Sequence, residues 1–273
     1  MSRIITPDGT ELYFKDWGQG RPVVMAHGWP LSADSFDDLS MAIADAGMRA
    51  ISYDRRGFGR SDQPAIGYDY DTLADDLSAV MTHTGAQDAT LLGFSMGGGE
   101  VARYLSRYAG KGVRQAVLVS SVVPYMLRTQ DNPDGVDASV FDGMAQGIKD
   151  DRAHFWADFF NDFFGVGLLS HPVSSEVLDW ACAMSMQAGL LPTLACARAF
   201  ATTDFRADMA AFTMPTLIIH GTADQTVPID TASRKAAQSI AHAQLIEYEG
   251  APHGLFASHK GRLAADVLKF LHS

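Results

Sequence analysis

The sequence predicts an α/β protein, a mostly parallel sheet covered by helices on both faces with a helical cap inserted into it. Three observations predict this. Short apolar runs alternate with helix-spaced runs along most of the chain. The apolar runs lack polar–apolar alternation, as expected of strands buried on both faces. The rhythm then stops between residues 124 and 214, where helical sequence rich in Phe, Met and Ala intervenes. The expected division is therefore a core of residues 1–123 and 215–273, with a cap of residues 124–214.

The bulk properties suit one large core. The chain has 273 residues, 47% hydrophobic and 19% charged. Its 21 Lys and Arg against 32 Asp and Glu give a formal charge of −11, which argues against nucleic acid and anionic membrane as partners. Asp54-Arg55-Arg56 is too short to be a basic patch. No apolar leader or membrane-spanning run is read, so a cytoplasmic location is expected. Cys182 and Cys196 lie in apolar sequence and are expected as buried, reduced thiols.

Taken in order, Ile4 to Trp17 reads as two strands around an Asp8-Gly9 turn. Pro22–Ala26 is a buried strand ending at His27-Gly28-Trp29-Pro30, and Ser35 to Ala46 is helical. Arg49–Tyr53 is a strand. Thr72 to Thr84 is a helix with Leu73, Leu77 and Val80 on one face. Thr90–Leu92 and Arg114–Val119 are strands either side of a helix at Glu100–Ser106. After the cap come strands Thr216–Ile219 and Gln244–Tyr248 and a last helix, Gly261–Leu271.

The chemistry centres on Gly93-Phe94-Ser95-Met96-Gly97, a G-x-S-x-G between a strand and a helix. Such a turn lifts the serine hydroxyl to the top of the sheet and strains its backbone. Glycine at 93 and 97 lets strand and helix approach closely. The helix N-terminus offers free N–H groups where an oxyanion would form. An incidental glycine-rich turn is the bland alternative, and the flanking strand and helix argue against it.

A serine nucleophile needs a base, and the base an orienting carboxylate. Ligands of such sheets bind beyond the carboxyl ends of strands, so the partners are sought there, in the order Ser, acid, His. Of His242, His253, His259 and His272, only His253 follows a strand directly in a loop. The others fall in or beside helical runs. For the acid, the strand at Val117 is followed by no carboxylate until Asp131, whereas Ile218 is followed closely by Asp224. Asp230 reads as a helix N-cap. The expected catalytic set is Ser95, Asp224 and His253.

The oxyanion donors are expected to be the N–H groups of Met96 and Trp29, since Pro30 has none. Pro30 also biases Trp29 toward extended backbone. That would aim the Trp29 carbonyl into the site, as an acceptor for hydrogen peroxide attacking an acyl-enzyme. In the cap, Phe155, Phe159 and Phe163 form one helical stripe and Trp156, Phe160 and Phe164 another. At least one stripe is cap core. Phe159 and Phe163 are the candidates for an apolar acyl pocket, with Trp29, Pro30 and Val227 completing the substrate-binding set. No C-x-x-C-H, H-E-x-x-H or Cys/His cluster is present, so neither cofactor nor metal is expected.

His27-Gly28-Trp29-Pro30, Asp54-Arg55-Arg56-Gly57-Phe58-Gly59-Arg60-Ser61, Gly93 to Gly99, His220-Gly221-Thr222-Ala223-Asp224 and Ala251-Pro252-His253-Gly254 together resemble the α/β-hydrolase fold. More narrowly they resemble its cofactor-free haloperoxidases, also called arylesterases or perhydrolases. Asn132 to Val136, Val140 to Gly143 and Thr203 to Arg206 extend the likeness through the cap. The resemblance implies an esterase for small acyl and aryl esters. It also implies formation of peracids from carboxylic acids and hydrogen peroxide, with halide oxidised indirectly by the peracid. It leaves a homo-oligomer and a lactamase side activity open. Ser95 disfavours a dehalogenase or epoxide hydrolase, which would carry Asp there. A lactonase, a carbon–carbon bond hydrolase or a small-molecule receptor would keep the same three residues.

Overall fold

The computed structural model describes residues 2–273. Its strands are β1 (Arg3–Ile5), β2 (Glu11–Gly18), β3 (Pro22–Ala26), β4 (Arg49–Tyr53), β5 (Ala89–Phe94), β6 (Val113–Val119), β7 (Thr216–Gly221) and β8 (Ala243–Tyr248). Its α-helices are α1 (Asp37–Asp45), α2 (Tyr70–Thr84), α3 (Met96–Arg107), α4 (Ala138–Phe164), α5 (Ser175–Gln187), α6 (Leu190–Thr202), α7 (Ser233–Ser239), α8 (Leu255–Ser258) and α9 (Lys260–Leu271).

The strands form one sheet in the order β1-β2-β4-β3-β5-β6-β7-β8. β1 and β2 are an antiparallel hairpin, with Gly9 at φ +88° in its turn, where a side chain would be strained. β2 also runs antiparallel to β4, and the pairings from β4 across to β8 are parallel. β3, β5 and β7 are buried at every residue. That explains their unbroken apolar sequence. The chain goes from β3 outward to β4 and returns to the other side of β3 as β5. This reversal opens a crevice at the carboxyl ends of β3 and β5, where such sheets bind ligands.

Between β6 and β7 lie α4, α5, α6 and a short 3₁₀ turn at Ala207–Ala211. α4 is two helices in sequence, because Asp151 has non-helical φ/ψ (−153°, 90°). Its carboxylate accepts from the His154 N–H at 3.0 Å and so starts the second half as an N-cap would. That second half carries both aromatic stripes. Trp156, Phe160 and Phe164 are fully buried, so this stripe is cap core.

Some local expectations differ from the structure. The helix expected from Ser35 begins as a 3₁₀ turn at Ala33–Phe36, capped by the Ser32 hydroxyl, before α1. Asp230 does not cap α7, whose N-cap is Ala232; it pairs with Arg234 at 2.7 Å instead. His242 lies in the turn between α7 and β8, beyond the helix. Cys182, packed at the edge of the core on α5, is only partly buried. Cys196 is fully buried, and burial pushes its thiol up to about 12. Among the described residues no helix is long and apolar enough to cross a membrane.

Candidate active site

Ser95 joins β5 to α3 with φ 53° and ψ −118°. A non-glycine residue there stores about 1–3 kcal/mol of strain, which its surroundings must offset. They do so with backbone bonds. The Ser95 N–H donates to the Val119 carbonyl at 2.9 Å, and its carbonyl accepts from Gly98 at 3.0 Å and Val122 at 3.3 Å. A Cβ on Gly93 would run into the backbone of Gly97 and Gly98, and one on Gly97 into the Ala26 carbonyl. Both glycines therefore let α3 start directly against β5 and β3.

Asp224 and His253 come from loops that are laced together. The Thr222 N–H donates to the Tyr248 carbonyl at 2.9 Å, and Ala223 to Ala251 at 3.0 Å. His253 Nδ1 lies 2.6 Å from Asp224 Oδ2, and its Nε2 lies 3.0 Å from Ser95 Oγ. An ionised carboxylate only accepts, so Nδ1 carries the hydrogen and Nε2 presents a lone pair to the serine hydroxyl. This is the arrangement a general base requires. Asp224 Oδ1 accepts from the N–H groups of Thr226 at 2.9 Å and Val227 at 2.8 Å. Burial alone would raise the Asp224 carboxyl, but attraction to His253 and hydrogen bonds from His220 and His253 bring it down to about 2.

That depression has a consequence for stability. The ordinary value is 3.8 and the folded value about 2. The ionised Asp224 carboxylate therefore contributes stability to the folded protein above its ordinary range. The contribution is complete above the unfolded value and disappears as pH falls toward the folded one. Asp224→Asn is expected to flatten the loss of stability between pH 4 and pH 2. Denaturant midpoints of both proteins across that window check it.

Among the described residues no protein acceptor bonds the N–H groups of Met96, next to Ser95 at the start of α3, and of Trp29, which lines the same cavity as Ser95. Trp29 is held from above: its indole N–H donates to the Thr193 carbonyl of α6 at 3.0 Å. Its ring meets Trp156, Phe159 and Phe200 edge-on at centroid distances of 5.1, 5.7 and 5.3 Å. From below, the His27–Trp29 segment rests on buried charge. The Arg55 guanidinium donates to the His27 carbonyl, and the Arg55 N–H donates to His27 Nε2 at 2.9 Å. Glu100 pairs with Arg55 and accepts the Tyr53 hydroxyl. Burial and the nearby Arg55 hold the His27 imidazole far below its usual range, so its Nε2 stays an acceptor.

A cavity of about 300 Å³ opens above Ser95, lined among others by Trp29, Phe141, Met144, Phe159, Phe200 and Val227. Of the residues expected to bind substrate, Trp29, Phe159 and Val227 line this cavity, and Phe163 and Pro30 do not. Phe163 sits one turn further along α4, fully buried, with its carbonyl accepting from the Gly254 N–H at 2.8 Å. That bond ties the end of α4 to the His253 loop, and the Phe163 ring packs edge-on against the imidazole at 4.7 Å. Pro30 is buried in a turn closed by the Leu31 N–H on the Gly28 carbonyl at 2.9 Å, which leaves Trp29 as the cavity wall.

Sequence reasoning missed several supporting residues. His220, read from the sequence as following the Thr216–Ile219 strand, is the penultimate residue of β7, and its Nε2 lies 3.0 Å from Asp224 Oδ2. Arg55 and Glu100 read as motif letters with no visible partner. Phe141 and Met144 lie on α4 before the Asp151 kink and Phe200 lies on α6, so the spacing of the Phe159 stripe does not reach any of them. Among the described residues no group of three or more His, Cys, Asp or Glu is placed to hold a metal ion.

Comparisons with known proteins agree with this architecture. Residues 21–260 match the family described as alpha/beta hydrolase fold. The chain is 44% identical over 269 residues to the non-heme chloroperoxidase CPO-A1 of Kitasatospora aureofaciens, covering 98% of each. It is 38% identical over 277 residues to the bifunctional esterase/perhydrolase DCH of Acinetobacter calcoaceticus, covering all of both. A crystal structure of bromoperoxidase from Bacillus anthracis superposes with a TM-score of 0.96 at 39% identity, over the full length of both chains. The chain belongs to the alpha/beta hydrolase fold family, within its group of non-haem haloperoxidases and esterase/perhydrolases.

Proposed function

We propose that this chain is a serine hydrolase of small acyl and aryl esters that also transfers the acyl group to hydrogen peroxide. One observation carries the reading: Ser95 Oγ sits 3.0 Å from an imidazole whose other nitrogen is 2.6 Å from a buried carboxylate, under an apolar cavity. The names of the relatives support the peroxide branch.

In this account Ser95 Oγ attacks the acyl carbon as His253 Nε2 takes its proton. The carbonyl oxygen becomes an oxyanion that accepts from the Met96 and Trp29 N–H groups. Collapse expels the alcohol, which leaves with the proton from His253. Water or hydrogen peroxide then gives a proton to His253 and attacks the acyl-enzyme. Ser95 departs with that proton, and the product is a carboxylic acid or a peracid. The hydrolytic second half-reaction, run in reverse, acylates Ser95 from a free acid and releases water, and hydrogen peroxide can then take the acyl group. Asp224 holds the imidazole tautomer and stabilises the imidazolium.

Phe159, Trp29 and Val227 would form the acyl wall, and residues 124–214 would act as the cap that shapes it. Phe163 would buttress the base. The Trp29 carbonyl, which has no protein donor among the described residues, would accept from hydrogen peroxide, with Pro30 setting its direction. The test is the partition of p-nitrophenyl acetate between acetate and peracetic acid when peroxide is present. Wild type is expected to divert product to peracetic acid, and Pro30→Leu to lower that ratio. An unchanged ratio in Pro30→Leu removes the role given to the carbonyl. No diversion in wild type removes the peroxide branch.

A further inference from the structure

The triad carboxylate is shared. His253 Nδ1 and His220 Nε2 approach the same oxygen, Asp224 Oδ2, at 2.6 and 3.0 Å. His220 Nε2 also lies 2.8 Å from the Val227 carbonyl. Carbonyl and carboxylate oxygens are acceptors only, so His220 Nε2 must carry a hydrogen; the N–H donates to the Val227 carbonyl while also standing 3.0 Å from Asp224 Oδ2. Its Nδ1 meets the Ser233 hydroxyl at 2.6 Å. His220, His253 and the Asp224 side chain are fully buried, so water does not compete for these sites.

We propose that His220 is a positioning residue of the acyl-transfer reaction: its Nε2–H locks the Asp224 carboxylate in plane and limits how strongly Asp224 draws the proton of His253. This rests on the function proposed above. With Thr226 and Val227 on Oδ1, and His253 and His220 on Oδ2, every direction of the carboxylate is occupied. A carboxylate so saturated cannot rotate away from the base. Its basicity is also spread over four donors, so the imidazolium keeps its proton for the leaving alcohol. His220 further links Asp224 to the cavity wall, because the Val227 that it holds by its carbonyl also lines the acyl pocket.

The charged groups around this pair are few. Asp224 faces His253 and His220. On the neighbouring strand β8, Glu247 stands opposite His220 in register and is paired with Arg234 of α7 at 2.6 Å. Neither belongs to the acid–base pair, and both reach solvent.

The test compares His220→Leu and His220→Gln. Leucine removes the donor, whereas the glutamine amide can restore one near Nε2. His220→Leu is expected to lower kcat on p-nitrophenyl acetate about tenfold, with KM changed less than about twofold. It should also move the acid limb of the kcat/KM profile up by about half a pH unit or more, since a freed Oδ2 holds the imidazolium more tightly. His220→Gln should return the limb to its wild-type position. If both variants keep the wild-type limb, or both lose activity with no shift, His220 is only a core contact and the proposal falls. Should the leucine variant not fold, ¹⁵N-histidine spectra of the wild type decide. Hydrogen on His220 Nε2 supports the proposal, and a bare Nε2 overturns it. Inactive wild type would instead be a failure of the esterase reading, which these spectra do not depend on.

Discussion

Ser95→Ala is expected to lower kcat on p-nitrophenyl acetate by about a millionfold. The size follows from how the site is built. Among the described residues the Ser95 hydroxyl is the nucleophilic group that the imidazole touches, and the alanine leaves His253 with nothing to activate but water. The loss should be strongly non-additive. His253→Ala alone should cost a similar factor, and the double variant little more than either single one, because serine and imidazole act as a unit. What remains over the uncatalysed rate would be the work of the Met96 and Trp29 donors. The alanine should also relieve little of the backbone strain, because the φ of 53° is imposed by β5, α3 and the Val119 contact rather than by the side chain. Turnover assays on freshly purified single and double variants check each part.

Glu100→Gln is expected to destabilise the protein by about 3–5 kcal/mol. Arg55 and Glu100 are both fully buried, and among the described residues the guanidinium pairs with no other carboxylate. Burial pushes the Glu100 carboxyl up, yet the attraction of Arg55 and the Tyr53 hydroxyl opposes this, and Arg55 is held charged by Glu100. Glutamine keeps the shape but turns one of the two acceptor oxygens into a donor and strands a buried cation. Replacing both partners by apolar residues of similar volume should recover much of the loss. Because Arg55 also holds the His27 carbonyl, Glu100→Gln should lower kcat more than it raises KM, as the oxyanion loop loosens. Urea midpoints and steady-state kinetics read the two effects. A midpoint within error of wild type would mean that the pair is not an isolated buried charge.

Much of the frame was legible because its signals are local. The sequence ends β3, β5, β7 and β8 at Ala26, Leu92, Ile219 and Tyr248, within two residues of their ends at Ala26, Phe94, Gly221 and Tyr248 in the structure. The parallel sheet then obliges their carboxyl ends to meet. Chain order and strand ends were enough to single out Ser95, Asp224 and His253, which the structure brings within hydrogen-bonding distance of one another.

The rest depended on depth, which periodicity does not carry. A stripe of Phe155, Phe159 and Phe163 shows which face of a helix is apolar, not which turn stands over the serine. The bond from Gly254 to the Phe163 carbonyl sets that. The kink at Asp151 resets the helical phase, so Phe141 and Met144 could not be aligned with Phe159 from spacing alone. His220 and Arg55 carry polar groups whose partners lie 4 and 45 residues away, on different elements for Arg55 and across a turn for His220. Their burial was invisible in a sequence where His and Arg are ordinarily exposed.

The most direct measurement is to capture the acyl-enzyme. The protein would be mixed with excess p-nitrophenyl acetate, quenched in acid within milliseconds, digested and mapped by mass spectrometry, with and without hydrogen peroxide. The account predicts one added acetyl group, on the peptide containing Ser95, absent in Ser95→Ala and reduced when peroxide speeds deacylation. Turnover by wild type with Ser95 unmodified at every quench time, together with full activity in Ser95→Ala, would contradict it.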